Sequence, residues 1–174
     1  MLQTASKTIC SIRPLEQEWC GHLYDRFSTT FYPSEPANLD DFHQQLIETC
    51  ESWIALRDQK IIGFICMSWD ADFYMFKEAN IPEITTLVVL PEMRRQGVAT
   101  ALMSRIEPKA LRSRRRIGMG VSLSPAYQGM QQLCAKRGFI PTSQGLYYKD
   151  KPVEHNQQVY LNEHLQLYYI KQRL

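Results

Sequence analysis

The feature that most constrains this chain is a change of period in its middle. From Ile84 to Leu90 the residues are rich in β-branched and apolar types, and Pro91 stops the run. That pattern predicts a strand. From Val98 the apolar positions fall at Val98, Leu102, Ile106 and, with a slip, Leu111, which predicts a helix. Between the two lies a short basic loop, Glu92-Met93-Arg94-Arg95-Gln96-Gly97. A helix that begins there points its first-turn N–H groups out of its end, a setting that suits phosphate. Gly97 and Ala99 leave room for a ligand to approach the main chain. An ordinary crossover with two exposed arginines has the same spelling, so the loop alone does not decide.

Charge points to the same segment. The 174 residues carry 20 Lys+Arg and 18 Asp+Glu, a net charge of +2. Residues 1–92 hold 6 basic and 14 acidic groups, whereas residues 93–137 hold 10 basic and 1 acidic. A middle so basic favours anions. Other classes are excluded by spacing. Ile61–Met67, an apolar stretch with one glycine, is far short of the ~20 residues that span a bilayer. Met1 to Pro14 has no apolar segment of signal-peptide length. Cys10, Cys20, Cys50, Cys66 and Cys134 are odd in number and scattered, and His22, His43, His155 and His164 are dispersed. Neither a metal site nor a disulfide framework is expected, and a cytoplasmic protein with reduced thiols is.

The rest of the chain reads as one α/β domain over 1–174. Thr8–Pro14 predicts a strand. Leu15, Trp19, Leu23 and Phe27 make a helical stripe. Asn38 caps a second predicted helix with Leu39, Phe42, Leu46 and Ile47 on its buried face. Ser52–Leu56 and Lys60–Ser68 predict a hairpin turned at Asp58-Gln59, and Trp69–Asn80 a polar, aromatic connection. Pro108 is expected to kink or end the long helix. Ile117–Leu123 predicts a strand, Ser124-Pro125 a helix start, Gly138 the end of that helix, and Tyr147–Lys149 and Leu165–Lys171 closing strands. The order is βααβββαβαββ, with a mixed, mainly antiparallel central sheet flanked by helices.

Two blocks resemble a known family. Arg94-Arg95-Gln96-Gly97-Val98-Ala99 matches the (Q/R)-x-x-G-x-(G/A) loop of the GNAT superfamily, the acyl-CoA-dependent N-acyltransferases, with Val89-Leu90-Pro91 upstream as its V-x-P. Leu133–Phe139 matches the family's L-Y-x-K-x-G-F segment, except that Cys134 stands for the tyrosine. The match is good from Ile61 to Pro141 and holds only in outline before that. The resemblance implies that acetyl-CoA is the co-substrate, without a metal. It implies that Arg94, Arg95, Gln96, Gly97, Val98, Ala99 and Thr100 hold the pyrophosphate. Leu87, Val88 and Val89 would then pair with the pantetheine arm like an added strand, and an N–H near Val88 or Val89 would polarise the thioester carbonyl.

An amine must lose a proton before it attacks a thioester, and a carboxylate raised by burial can take it. Glu83, eleven residues before Arg94, is the candidate base, and a solvated strand-edge carboxylate is the plain alternative. For the departing thiolate, Tyr127 and Cys134 are candidate donors, and Tyr127 is also placed against the pantetheine. Cys134 can equally be a small buried hydrophobe. Phe31, Tyr32, Asp70 and Asp72 are the candidate acceptor-binding residues, since aromatics and carboxylates suit a cationic amine. They can equally be loop residues covering the edge of the core.

These readings converge on an N-acetyltransferase that moves an acetyl group to a primary amine of a small molecule or peptide. A non-catalytic CoA-binding regulatory module is the alternative that Cys134 keeps open. An RNA-associated protein using Arg112–Arg116 is disfavoured, because that run has no interleaved aromatics for base stacking. No membrane partner is expected, and a homodimer is left open.

Overall fold

The computed structural model describes residues 10–31 and 45–173. Its chain divides into two compact units, Met1–Met67 with Thr86–Ile106, and Ser68–Thr85 with Glu107–Leu174.

In the first unit, β1 (Ser11–Pro14) pairs antiparallel with β2 (Cys50–Arg57), from Ser11↔Leu56 to Pro14↔Trp53. Next in order come β3 (Lys60–Ser68) and then β4 (Glu83–Val89), a strand whose residues 86–89 belong here and 83–85 to the second unit. The β2–β3 turn is tight because Asp58 and Gln59 both adopt positive φ, 50° and 59°, the mirror-image turn that matches strand twist. The apolar run Ile61–Met67 is buried at every position, as expected of a strand covered on both faces. Helix α1 (Gln17–Phe31) buries Cys20, Leu23 and Phe27, a three–four spacing, against Ile54, Leu56, Phe64 and Cys66. Trp19 of the predicted stripe only packs at its edge, and Leu15 is buried just ahead of the helix. Asn38, Leu39 and Phe42 of the predicted second helix lie outside the described residues. Gln45–Thr49 form one wide helical turn, with Leu46 buried.

In the second unit, β4 pairs parallel with β5 (Arg116–Ser122) at Glu83↔Gly118 and Ile84↔Met119. β5 pairs antiparallel along its length with β9 (Leu165–Gln172). β9 also takes β6 (Ile140–Pro141) and β7 (Tyr147–Tyr148), and β7 folds back on β8 (Lys151–Pro152). The sequence reading had no β8. Its turn again uses two residues with positive φ, Lys149 and Asp150 at 51° and 60°. A short helix, α2 (Tyr74–Glu78), interrupts the stretch expected to be only a connection. It buries Phe76 beside Phe73, Tyr147 and Tyr168. Gly118 and Gly120 of β5 make this possible. A β-carbon on Gly118 would overlap the Phe76 ring, and one on Gly120 would stand 2.9 Å from the Tyr168 ring.

Helix α3 (Val98–Arg114) runs through Pro108 instead of ending there. Pro108 lies on the exposed face, where water can reach the backbone that its missing N–H leaves unserved. Ala110, not Leu111, continues the buried stripe after Ile106, so the four-residue spacing holds without a slip. Helix α4 (Gln128–Lys136) begins after a turn at Pro125–Tyr127, without a side-chain cap from Ser124. Its end is as expected. Gly138 has φ +80°, its N–H donates to Ala135, and Phe139 N–H donates to the Cys134 carbonyl at 2.9 Å.

Candidate active site

Strand β4 changes character along its length. Glu83, Ile84 and Val89 are buried, but Thr85 is exposed and Thr86, Leu87 and Val88 are only half-buried. The parallel register with β5 covers Glu83 and Ile84. An added ligand strand pairs through main-chain groups, and the half-buried stretch of residues 86–88 is where this strand is accessible. On the β3 side the strand is held closely. Leu90 N–H donates to the Ile62 carbonyl at 3.0 Å, and the Val88 carbonyl approaches Gly63 so nearly that a β-carbon there would lie 2.7 Å from it.

The loop after β4 is braced by its own side chains. Pro91–Met93 form a turn of 3₁₀ helix. Arg94 Nε donates to the Val89 carbonyl at 3.1 Å, and Gln96 Nε2 to the Glu92 carbonyl at 3.0 Å. Arg57 Nη1 donates to Gln96 Oε1 at 3.5 Å. Arg95 and Gly97 adopt positive φ, 62° and 85°. The chain thereby turns sharply into α3, and Ala101 N–H closes the first helical bond on the Gly97 carbonyl at 2.9 Å. Arg94, Arg95, Gln96, Gly97 and Thr100 are exposed, Ala99 is half-buried, and Val98 anchors the helix in the core. No atom lies within 4 Å of where a Gly97 β-carbon would stand. The loop therefore offers first-turn amides, open space and two arginines together, a chemistry that fits a pyrophosphate.

The second unit contains a buried acid. Glu83 is only 6% exposed, and Phe73 N–H donates to its Oε2 at 3.0 Å. Burial pushes its carboxyl up to about 7, the hydrogen bonds from the Phe73 and Asp72 N–H groups act against that, and the Asp72 and Asp150 charges add to it. Around it stand aromatic rings. Phe73 stacks on Tyr168 with centroids 3.5 Å apart, and Tyr147 meets both rings edge-on. Tyr168 OH donates to Asp150 Oδ1 at 3.0 Å, and Tyr147 OH to Met75 Sδ at 3.0 Å. A carboxyl poised near neutrality can accept a proton from an amine and release it again.

The sequence profile of the acetyltransferase (GNAT) family matches residues 17–139, a span that holds both the phosphate-type loop and Glu83. The chain belongs to the GNAT acetyltransferase family. Membership makes it an acyltransferase of a family that uses acetyl-CoA. Solved structures agree in fold. A ribosomal-protein-alanine N-acetyltransferase from Brucella melitensis is similar at TM-score 0.69 and 16% identity, over 94% of this chain and 99% of that one. An N-acetyltransferase from Staphylococcus aureus Mu50 is similar at TM-score 0.67 and 16% identity, over 94% and 98%. A GNAT-family acetyltransferase from Bacillus cereus ATCC 10987 is similar at TM-score 0.66 and 17% identity, over 95% and 99%. No curated protein sequence matches the chain.

The other sequence-predicted residues of this GNAT domain fall in varied settings. Tyr127 is 44% exposed, at the junction where the turn passes into α4. Cys134 is fully buried, its thiol directed at Met119 Sδ at 3.5 Å, and burial with the nearby Glu107 charge pushes it up to about 12. It stays a neutral thiol in the core. Asp72 is exposed on the segment that holds Glu83. Asp70 is exposed and paired with Lys77 at 3.0 Å. Tyr32 lies outside the described residues, and of Phe31 only its place at the end of α1 is described. Sequence reasoning missed Tyr168 and Asp150. The signal for Tyr168 was present in Gly118 and Gly120, two small residues on one face of β5 that leave space for rings. Among the described residues, no helix is long and apolar enough to cross a membrane, and no cluster of three His, Cys, Asp or Glu could hold a metal ion.

Proposed function

We propose that this protein transfers an acetyl group from acetyl-CoA to a primary amine of a small molecule or peptide, by direct attack of the amine on the thioester. The observation that carries the reading is the burial of Glu83 on the strand that leads into the phosphate-type loop. Acetyl-CoA brings the activated acyl group. The amides of Arg95 to Thr100 and the Arg94 and Arg95 guanidinium groups bind its pyrophosphate, and Leu87 to Val89 hydrogen-bond the pantetheine arm.

Glu83 takes a proton from the incoming ammonium, which frees the nitrogen lone pair to form the C–N bond. The C–S bond breaks, and the thiolate leaves with a proton supplied by Tyr127, the more accessible of the two candidate donors. The second proton lost by the nitrogen as the amide forms returns to the Tyr127 oxygen. Cys134, buried against Met119, serves packing in this scheme. Asp72, exposed on the segment that holds Glu83, favours a cationic acceptor. Asp70, already paired with Lys77, takes a lesser part, and Phe31 and Tyr32 remain proposed acceptor contacts.

The test is release of CoA thiol from acetyl-CoA across a panel of primary amines and peptides with free N-termini. Turnover with at least one amine, sharply lowered by Glu83→Gln and slowed by Tyr127→Phe, is the expected result. Purified, folded protein that binds CoA and acetylates nothing on the panel would move the reading to the non-catalytic binding module.

A further inference from the structure

Glu83 has a charged neighbour that comes from a different element and is itself held in place. Asp150 is the second residue of the two-residue β7–β8 turn, and its side chain is exposed. An exposed turn carboxylate would ordinarily sample several rotamers. Here the Tyr168 hydroxyl holds it at 3.0 Å. Tyr168 is 3% exposed, so it does not itself present a surface to substrate. Its ring stacks on Phe73, the residue whose N–H holds Glu83 Oε2. Phe76 and Tyr147 pack edge-on against Tyr168, and Gly120 lies beneath it.

Groups from several elements face Glu83. The segment before α2 gives the Asp72 charge and the Asp72 and Phe73 N–H groups, the β7–β8 turn gives Asp150, and β9 gives Tyr168, with Tyr147 of β7 behind it. Burial, then Asp150, raise the Tyr168 hydroxyl well above its ordinary value, so it remains a donor throughout the working pH range. The held Asp150 carboxylate, with the Asp72 charge, strengthens Glu83 as a base and draws in an ammonium group.

Building on the reading of Glu83 as the base, we propose that Asp150 and Tyr168 are positioning residues. The Tyr168 hydroxyl fixes Asp150 so that its charge bears on Glu83, and the Tyr168 ring fixes Phe73 so that its N–H does. Neither residue touches the reacting atoms.

The experiment follows Glu83 directly, by carboxyl ¹³C NMR of protein labelled in its glutamate side chains. The Glu83 signal is the one absent in Glu83→Gln. The wild type should titrate near 7. Asp150→Asn should lower the midpoint by roughly half a unit or more, and Tyr168→Phe by part of that. The double variant should match Asp150→Asn alone, because the hydroxyl acts through that carboxylate. In turnover, the acid limb of the kcat profile should move by the same amount while KM for acetyl-CoA stays put. Wild-type midpoints in both single variants would overturn the proposal, and a wild-type midpoint in Tyr168→Phe alone would overturn the part given to its hydroxyl. Should Tyr168→Phe fail to fold, Asp150→Asn, altered only on an exposed turn, still decides whether Asp150 acts on Glu83. Full turnover by Glu83→Gln would instead sink the base reading, and the NMR midpoints would still score the link between Asp150, Tyr168 and Glu83.

Discussion

The main-chain N–H of Phe73 donates to Glu83 Oε2 at 3.0 Å, so a buried carboxyl of the sheet is oriented by the segment that runs into α2. The bond fixes one oxygen, and burial keeps the group near neutrality. The rate consequence follows from the sign of the shift. A base that titrates at about 7 is mostly protonated below that pH and competent above it. The kcat profile should rise with an acid-limb midpoint near 7, and Glu83→Gln should flatten the limb and lower kcat by roughly 10²–10⁴-fold. Initial rates from pH 5.5 to 9 decide it. A limb that persists in Glu83→Gln would assign the proton to another group.

Stability should respond in the opposite direction. The folded-state value of Glu83 lies above its ordinary 4.5, so the folded chain holds the proton more tightly than the unfolded one. Its contribution is complete below about 4.5 and is lost as pH rises through about 7. The loss is up to roughly 3 kcal/mol for a shift of this size. Urea unfolding at pH 5 and pH 8 should therefore show a fall in stability with pH that Glu83→Gln largely removes. An unchanged fall in the variant would place the coupled proton elsewhere.

Gly63 is needed because the Val88 carbonyl lies where its side chain would be. An alanine β-carbon would stand 2.7 Å from that oxygen and 3.2 Å from Val89 Cγ2. Neither neighbour is a flexible chain end, so β4 itself must give way. Gly63→Ala should cost about 1–3 kcal/mol in thermal or urea unfolding. It should also weaken CoA binding by calorimetry several-fold, since Leu87 to Val89 are the proposed pantetheine strand. A variant with wild-type stability and CoA affinity would mean that β3 and β4 can part there without consequence.

What was legible in the sequence was local. The strand–loop–helix at Ile84–Ile106 could be read because its period changes within one short stretch and proline and glycine mark the joins. The Gly138 helix end and the Asp58-Gln59 turn could be read for the same reason. What could not be read depended on distant partners. Nothing near Tyr168 in the chain says that its hydroxyl will meet Asp150, eighteen residues earlier, or that its ring will cover Gly120. The helix persisted through Pro108 because that position faces solvent, which depends on packing and not on the proline. Cys134 fitted a family pattern by position, but its chemistry is set by burial against Met119, a β5 residue fifteen positions away.

Gly97 and Gly129 make a matched pair. Neither has an atom within 4 Å of its missing β-carbon, so neither substitution meets a clash. They differ in backbone. Gly97 has φ +85° and opens the phosphate-type loop, whereas Gly129 lies inside helix α4. Gly97→Ala should destabilise by about 1 kcal/mol and weaken CoA binding, because the methyl group enters the space proposed for the pyrophosphate. Gly129→Ala should stabilise by up to about 1 kcal/mol without changing CoA affinity. Equal CoA affinities in the two variants would remove the pyrophosphate from this loop.

Glu107 makes a different kind of demand. It is 3% exposed, yet it accepts Arg137 Nε on one carboxylate oxygen and Lys171 Nζ on the other, the latter at 2.7 Å. One residue of α3 thereby ties the end of α4 to β9. The two cations are partly exposed, at 17% and 24%, so each can turn toward water if the acid is lost. The acid cannot do the same if the cations are lost, because it is the buried member. The cost should therefore depend on which side is removed. Glu107→Ala should lower stability by about 3 kcal/mol, through the lost pairs and the space left behind. The double change Arg137→Ala with Lys171→Ala should cost more than Glu107→Ala, since it strands a buried charge. Chemical unfolding of the two variants tests the order. The reverse order would mean that the carboxylate is solvated well enough to stand alone.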